Sequence, residues 1–302
     1  MTVSAMIPGS PERAQLLKAA VRGRSLWDDA RRRLFRNKAA VAGMVVLALM
    51  VALSLIGPLL VPYAYDTVTK SDVWSAPGVR GHLIGADSLG RDLLARLFAG
   101  LGVSLGIGVV ATAVSLVIGV AWGATAGYLG GRVDEVMMRI VDTLYSLPFI
   151  FFVILLMVVF GKNIFLIFLA IGAVEWLTMA RIVRGQTLSL KQKEFIEAAR
   201  AAGLTSPAII LRHIVPNLLG PVVVYVTLTI PAIIIAESFL SFLGLGVQAP
   251  MASLGTLIAS GAQDMEMAPW LLIYPSAVMI ITLMAFNFIG DGLRDAIDPK
   301  DR

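Results

Sequence analysis

An all-α, polytopic membrane fold with six transmembrane helices is what this sequence predicts, and three observations predict it. The 302 residues are 58% hydrophobic and only 15% charged, too apolar for a soluble domain of this length. The apolar residues gather into segments of about 20, the length a helix needs to cross a bilayer. The charges gather between those segments, and Lys and Arg are in excess in alternate loops, as they are on the cytoplasmic side of a membrane.

Residues 1–38 hold nine Lys/Arg against three Asp/Glu. A basic stretch of this length with no convincing small-residue cleavage site reads as a cytoplasmic arm and not as a signal peptide. Arg31-Arg32-Arg33, Arg36 and Lys38 suit topology determination and contact with anionic lipid, with contact to a partner protein as the second reading. The first span covers Ala39 to Val61, ending around Pro58 and Pro62. Residues 63–100 form an outer loop rich in turns, with Gly78, Gly81, Gly85 and Gly90 and with Asp66, Asp72, Asp87 and Asp92. The second span runs from about Leu101 to Ala126; Gly102, Gly106, Gly108, Gly119 and Gly123 allow close helix approach in lipid. Tyr128 to Arg139 returns the chain inside. A third span, Val141 to Phe160, is interrupted by Pro148, and Gly161-Lys162-Asn163 turns it outside into a fourth, Ile164 to Ile182.

An inside loop, 183–217, separates this from a fifth span at Leu218 to Leu240, which contains Pro221 and Pro231. Gly244 to Pro269 has Asp264 and Glu266 but no Lys or Arg, as an outer segment would. The sixth span, Trp270 to Ile289, leads to a hydrophilic tail. Six spans put both termini in the cytoplasm. The basic arm and the domain 39–302 are thus the two expected units, the latter carrying the outer loop 63–100 and the inside loop 183–217.

What the sequence lacks bounds its chemistry. No Gly-x-x-x-x-Gly-Lys-Ser/Thr phosphate cradle, Gly-x-Ser-x-Gly elbow or His-Glu-x-x-His helix occurs. There is no cysteine, and the two histidines, His82 and His213, are far apart, so a metal centre is not expected. The net charge of +5 lies in membrane-flanking positions, which argues against nucleic acid as a partner. If ATP energises this chain, another subunit hydrolyses it.

The loop 183–217 reads as a helix-turn-helix. Glu194 to Ala202 is rich in helix formers, and Gly203 follows where a helix can end in a left-handed residue. Ser206 suits an N-cap and Pro207 the first helical position, and Pro216 predicts that the second short helix stops there. Glu197-Ala198-Ala199, three residues, then Gly203 resembles the cytoplasmic coupling loop of ABC importer permeases. The general pattern of that family has Ile and Leu where this chain has His213 and Val215; Arg212-His213-Ile214-Val215-Pro216-Asn217 is similar to its peptide-transporter branch. Without the resemblance, the loop also reads as an amphipathic helix on the membrane surface.

The outer sequence His82-Leu83-Ile84-Gly85-Ala86-Asp87-Ser88-Leu89-Gly90-Arg91-Asp92 resembles the motif before the second span in dipeptide, oligopeptide and nickel permeases. Gly85 and Gly90 supply turns, and Asp87, Arg91 and Asp92 are able to pair or to cap a helix starting near Asp92. These residues are candidates for an outer docking or gating loop, and equally for a loop that folds by local polar contacts. Glu175 and Glu237 fall inside spans, where a charge is costly. Each either faces a water-filled path and meets a substrate amine or is hydrogen-bonded at a helix interface. Glu237 to Gly246 also resembles the family.

The resemblance covers most of residues 25–302 and looks most like the C-type subunit of the oligopeptide branch, with the other peptide branches, nickel and glutathione as alternatives. It implies a paralogous permease subunit, two ABC ATPase subunits and an extracytoplasmic peptide-binding protein as partners. By the same token ATP and magnesium belong to the ATPases, and this chain holds no cofactor. An ion-gradient transporter is the competing class; it would need buried ionisable relays or repeats, and only Glu175 and Glu237 are available.

Overall fold

The computed structural model describes residues 26–161 and 163–297. Residues 1–25 of the basic arm, Lys162 and the tail from Asp298 lie outside the described residues. Among the described residues the regular structure is helical: α1 (Leu26–Arg36), α2 (Lys38–Leu60), α3 (Leu93–Leu129), α4 (Gly131–Tyr145), α5 (Phe149–Phe160), α6 (Ile164–Lys191), α7 (Glu194–Ala201), α8 (Ser206–Phe242), α9 (Leu254–Gln263) and α10 (Trp270–Ile297), with a short 3₁₀ turn at Lys70–Asp72. Four of these helices, α2, α3, α8 and α10, are long and apolar enough to cross a membrane, or five crossings if α4 and α5 together make one.

Several boundaries differ from those expected, each for a local reason. The helix that carries the second apolar span begins at Leu93, as expected near Asp92 and more than two turns ahead of the span at Leu101, because the Asp92 side chain accepts the Ala95 N–H at 2.8 Å. The expected return loop Tyr128 to Arg139 is mostly helix: only Gly130, at φ +70°, and Gly131, at φ +56°, turn the chain from α3 into α4. Pro148 does break the third segment, and the two pieces meet at 84°. The fourth helix continues to Lys191 and the sixth to Ile297, since polar residues beyond the apolar stretch still favour helix. The outer segment Gly244 to Pro269 contains an unexpected helix, α9, started by a reciprocal Ser253/Thr256 capping box.

The largest correction lies at Pro216. The second helix of the inside loop does not stop there: it starts after Thr205, with Ser206 already helical, and runs without a break into the fifth apolar segment. A π turn at Ile210–Ile214 sits just before the proline. Pro216 then falls in the first turn of the following α segment, where a missing N–H costs least.

Glycine decides how tightly the helices meet. α3 lies against α6 along Gly119, Gly123 and Gly127; a Cβ at Gly119 would come 2.5 Å from the Met179 Cβ, and one at Gly127 would come 2.8 Å from the Thr187 Cβ. At Gly123 it would press on the Ala180 carbonyl oxygen, which is backbone and cannot give way. The ends of the chain meet too: Gly292 of α10 faces Ala40 and Leu34, so the α1–α2 junction packs against the last helix. Asn37, which accepts the Ala39 and Ala40 N–H groups at 3.1 and 3.2 Å, makes that junction.

This packing makes a graded prediction. Gly123→Ala should destabilise the purified protein by about 1–3 kcal/mol, the usual cost of overpacking. Gly106→Ala, where a Cβ would meet nothing within 4 Å, should be neutral or stabilising through helix propensity. Thermal unfolding in detergent compares the two; equal midpoints would refute glycine-limited packing of α3 on α6.

Candidate functional site

Two polar constructions flank the apolar helices, and a third lies within them. The first is the turn between α7 and α8. Gly203 adopts φ +81°, the Gly203 N–H bonds the Arg200 carbonyl at 3.0 Å and the Leu204 N–H bonds the Ala199 carbonyl at 3.2 Å. These two bonds form a Schellman stop, which satisfies carbonyls that the ending helix would otherwise leave open. No atom lies within 4 Å of a Cβ built on Gly203, so conformation and not space calls for glycine there.

Below the turn, Ile196 and Ala199 are buried with Ile209, Ile214 and Leu218 against Tyr128 at the end of α3. The opposite face of α7 is open: Glu197 and Ala198 are exposed, as are Pro207 and Pro216, while His213 is half-buried. Large apolar side chains stand in the open beside them, Phe195 at 41% and Leu211 at 68% exposure. The structure thus brings Glu197, Ala198, Gly203 and Pro207 to one exposed corner, with Ala199 turned inward as packing.

The second construction is the outer loop. Asp92 caps α3 through one carboxylate oxygen and meets His82 Nδ1 with the other at 2.8 Å. His82 Nε2 lies 3.3 Å from Asp72, the Tyr63 ring stacks on the imidazole at 4.6 Å, and Arg80 reaches Asp72 at 3.1 Å. The Ser71 hydroxyl, ahead of His82 and Arg80, holds the Asp72 carboxyl below its ordinary pKa, against an opposing effect of burial. Asp87 folds its own turn by accepting the Leu89 and Arg91 N–H groups at 2.9 and 3.0 Å, and pairs with the Arg91 side chain at 2.7 Å and Arg96 at 3.4 Å. Gly90, at φ +71°, packs against the Thr69 carbonyl, where no side chain fits. His82 and Asp92 are 1% and 3% exposed, so this is a folded polar core and not a floppy connection.

The third construction holds the two acids inside the helices. Glu237 is fully buried and accepts the Ser241 and Ser253 hydroxyls at 2.6 and 2.7 Å. Ser253 caps α9, whose Leu254 N–H donates to Ser104 of α3 at 2.9 Å, so the acid ties α8, α9 and α3 together. Glu175 is half-buried on α6 and lines a cavity at the α4–α5 break. The sequence reading passed over two further pairs that fix α4 to α6: Arg184 with Asp134, bidentate at 2.6 and 2.7 Å, and Arg181 with Asp142 at 2.8 Å. Their spacing of 50 and 39 residues left no local signal.

Known proteins of this kind match over most of the chain. Residues 119–302 fit the family described as "Binding-protein-dependent transport system inner membrane component", and residues 25–77 fit "N-terminal TM domain of oligopeptide transport permease C". The chain is 57% identical over 286 residues to the oligopeptide transport system permease protein OppC of Escherichia coli K12, covering 94% of this chain and 95% of that one. It is 54% identical to the Haemophilus influenzae OppC over 93% of this chain and 90% of that one. To the dipeptide transport system permease protein DppC of Bacillus subtilis it is 43% identical, over 92% and 87%. An inward-facing MetNI methionine ABC transporter structure shares the fold, with a TM-score of 0.55 at 21% identity over 67% of this chain and 96% of that one.

The outer loop yields its own test. Asp92→Ala should cost more than the ~0.5–2 kcal/mol of a lost helix cap, because it also strips the buried His82 of its closest partner. Asp92→Ser should recover only the cap. Limited proteolysis of the 63–92 segment, followed beside thermal unfolding, reads both; full rescue by serine would show that the His82 contact contributes nothing.

Proposed function

The chain belongs to the family of binding-protein-dependent transport system inner membrane components, and from that membership we propose that it is the C-type permease of an ATP-driven oligopeptide importer. The 57% identity to an oligopeptide permease, against 43% to a dipeptide permease, favours oligopeptides over dipeptides. In this reading α6 joins the other apolar helices to make six spans. Both termini and the loop 183–217 face the cytoplasm, and 63–92 and α9 face outward. Residues 1–38 are the basic cytoplasmic arm and 39–302 the transmembrane domain. ATP hydrolysis takes place in partner subunits, which bind the nucleotide and magnesium.

The observation that carries the mechanism is the unbroken path from α7 to the outer surface. The Schellman turn at Gly203 joins α7 to α8, and α8 runs 37 residues from Ser206 to Phe242, roughly 55 Å at 1.5 Å per residue. A displacement imposed on the exposed corner of Glu197, Ala198 and Pro207 travels along α8 as one body. The Ile196 and Ala199 contacts hold that corner to α3 while leaving its outer face free to seat an ATPase. Two ATPases closing on ATP would then drive this permease and a paralogous permease from inward-open to outward-open, to receive peptide from an extracytoplasmic binding protein. The buried contacts of Asp87, Gly90, Arg91 and Asp92 hold that loop folded, with Ser88 and Leu89 exposed at its tip for such docking. Selection among peptides rests with the binding protein in this reading, since among the described residues no set of side chains is arranged to read peptide sequence.

Two experiments test this. Single cysteines at Thr205 and Ser260, in a chain that has none of its own, should differ in intact spheroplasts: an impermeant thiol reagent labels 260 and spares 205, and labelling at 205 would overturn the orientation. Gly203→Val forces a β-branched residue toward positive φ, at about 1–2 kcal/mol. It should leave insertion intact while weakening ATPase association or uncoupling hydrolysis from uptake. Glu197→Ala should lose less, because an exposed charge contributes little. ATPase stoichiometry, peptide-stimulated hydrolysis and proteoliposome uptake all at wild-type levels in Gly203→Val would refute coupling through this turn.

A further inference from the structure

Glu175 lies roughly 17 Å along α6 from Ile164 at 1.5 Å per residue, well inside the apolar stretch. It lines a cavity of about 340 Å³ whose other walls are Leu144, Tyr145, Leu147 and Pro148 at the α4–α5 break, Phe152 of α5 and Thr178 of α6. Tyr145 and Leu147, 52% and 53% exposed, form its rim. A larger cavity of about 730 Å³ between α3 and α8 is almost wholly aliphatic and holds no charged side chain.

Among the described residues no hydrogen bond or ion pair reaches the Glu175 carboxylate; Tyr225 of α8 is the group within electrostatic reach. Every neighbouring charge is committed elsewhere. Arg181 is held by Asp142 and lies over the Tyr145 ring at 4.2 Å, and Arg184 is held by Asp134. The other acid inside the helices, Glu237, has two hydroxyl donors. Glu175 is therefore a carboxylate in an apolar cavity with room beside it and no resident counter-charge, the setting in which an intramembrane acid meets a passing cation.

The cavity's chemistry selects the kind of cation. One carboxylate cannot replace the six or so oxygen ligands of a hard divalent ion. An ammonium group has three donors, and the Glu175 carboxylate with the Tyr145 and Thr178 hydroxyls offers acceptors of the right kind. Leu144, Leu147 and Phe152 suit one apolar side chain next to that group, and the volume lies at the small end of the range for ligand pockets. We propose that this cavity receives the amino-terminal ammonium group and first residue of a peptide in transit, with Glu175 as its counter-charge. The proposal rests on the peptide-importer reading above. Because all free peptides share this group, the site speeds passage without choosing among them.

The test uses the complete importer, reconstituted in proteoliposomes, and the same complex in detergent without the binding protein. Tri-alanine should protect the detergent-purified complex against thermal unfolding, and N-acetyl-tri-alanine should not. Glu175→Gln should abolish that protection and lower tri-alanine uptake by about tenfold, as loss of one charge-assisted contact would. Glu175→Asp, which keeps the charge, should retain part of both, and it decides the matter if the glutamine variant fails to assemble. Absence of peptide uptake by the wild type would overturn the importer reading itself. With wild-type uptake in place, equal protection by the acetylated peptide, undiminished uptake in Glu175→Gln, no retention of function in Glu175→Asp, or the same protection by sodium chloride alone would each overturn the ammonium site.

Discussion

The approach of α3 to α6 at Gly119, Gly123 and Gly127 is the constraint on which the remaining geometry depends. In lipid no hydrophobic gain draws one apolar helix to another, and association comes from van der Waals fit and from polar contacts. Removing the side chain at every fourth position lets the two backbones meet directly. That closeness brings Arg181 and Arg184 of α6 within reach of α4, where Asp142 and Asp134 take them at 2.8 and 2.6 Å. It also brings Tyr128 at the foot of α3 under α7, where Ile196 and Ala199 are buried. Separating the pair would loosen the seat of α7 and the wall of the Glu175 cavity together.

Several polar groups far from water are matched within the chain, while a few buried atoms, among them Arg96 Nε and Glu237 Oε2, have no hydrogen-bond partner. Asp72, His82 and Asp92 match one another in the 63–96 loop, and one carboxylate oxygen of Glu237 accepts the Ser241 and Ser253 hydroxyls. An unmatched buried charge would cost several kcal/mol. Glu197 is open at the exposed corner, and Glu175 is open in its cavity.

Local signals in the sequence were legible and long-range ones were not. The long apolar helices came from apolar length, the Gly203 stop from a glycine after helix formers, and the Asp92 cap from an aspartate at the edge of an apolar segment. Each needs only a few consecutive residues. The failure at Pro216 is instructive: proline was read by its usual effect on a helix interior, but a π turn moved it to a first-turn position where that effect is small. Helix α9 was hidden because Gly255 and Gly261, poor helix formers, are demanded by packing against Ser238 and Leu271. The α4–α6 ion pairs join residues with nothing in common but their place in space, and the fate of Glu237 depended on Ser253, which sequence could not bring beside it.

The outer loop has a consequence for how the chain is made. Its ion pairs, its histidine stack and its turns draw on residues 63–96 alone. In the orientation proposed above, once the first turn of α3 has crossed, every partner is present on the far side of the bilayer, and the segment is able to take its shape while the ribosome is still working on the glycine-rich helix behind it. What is missing at that moment is Trp270, which closes over Gly85. The last helix to emerge thus adds an apolar cover to a polar core already formed, and a stall in synthesis anywhere between would leave a folded knob with its lid absent.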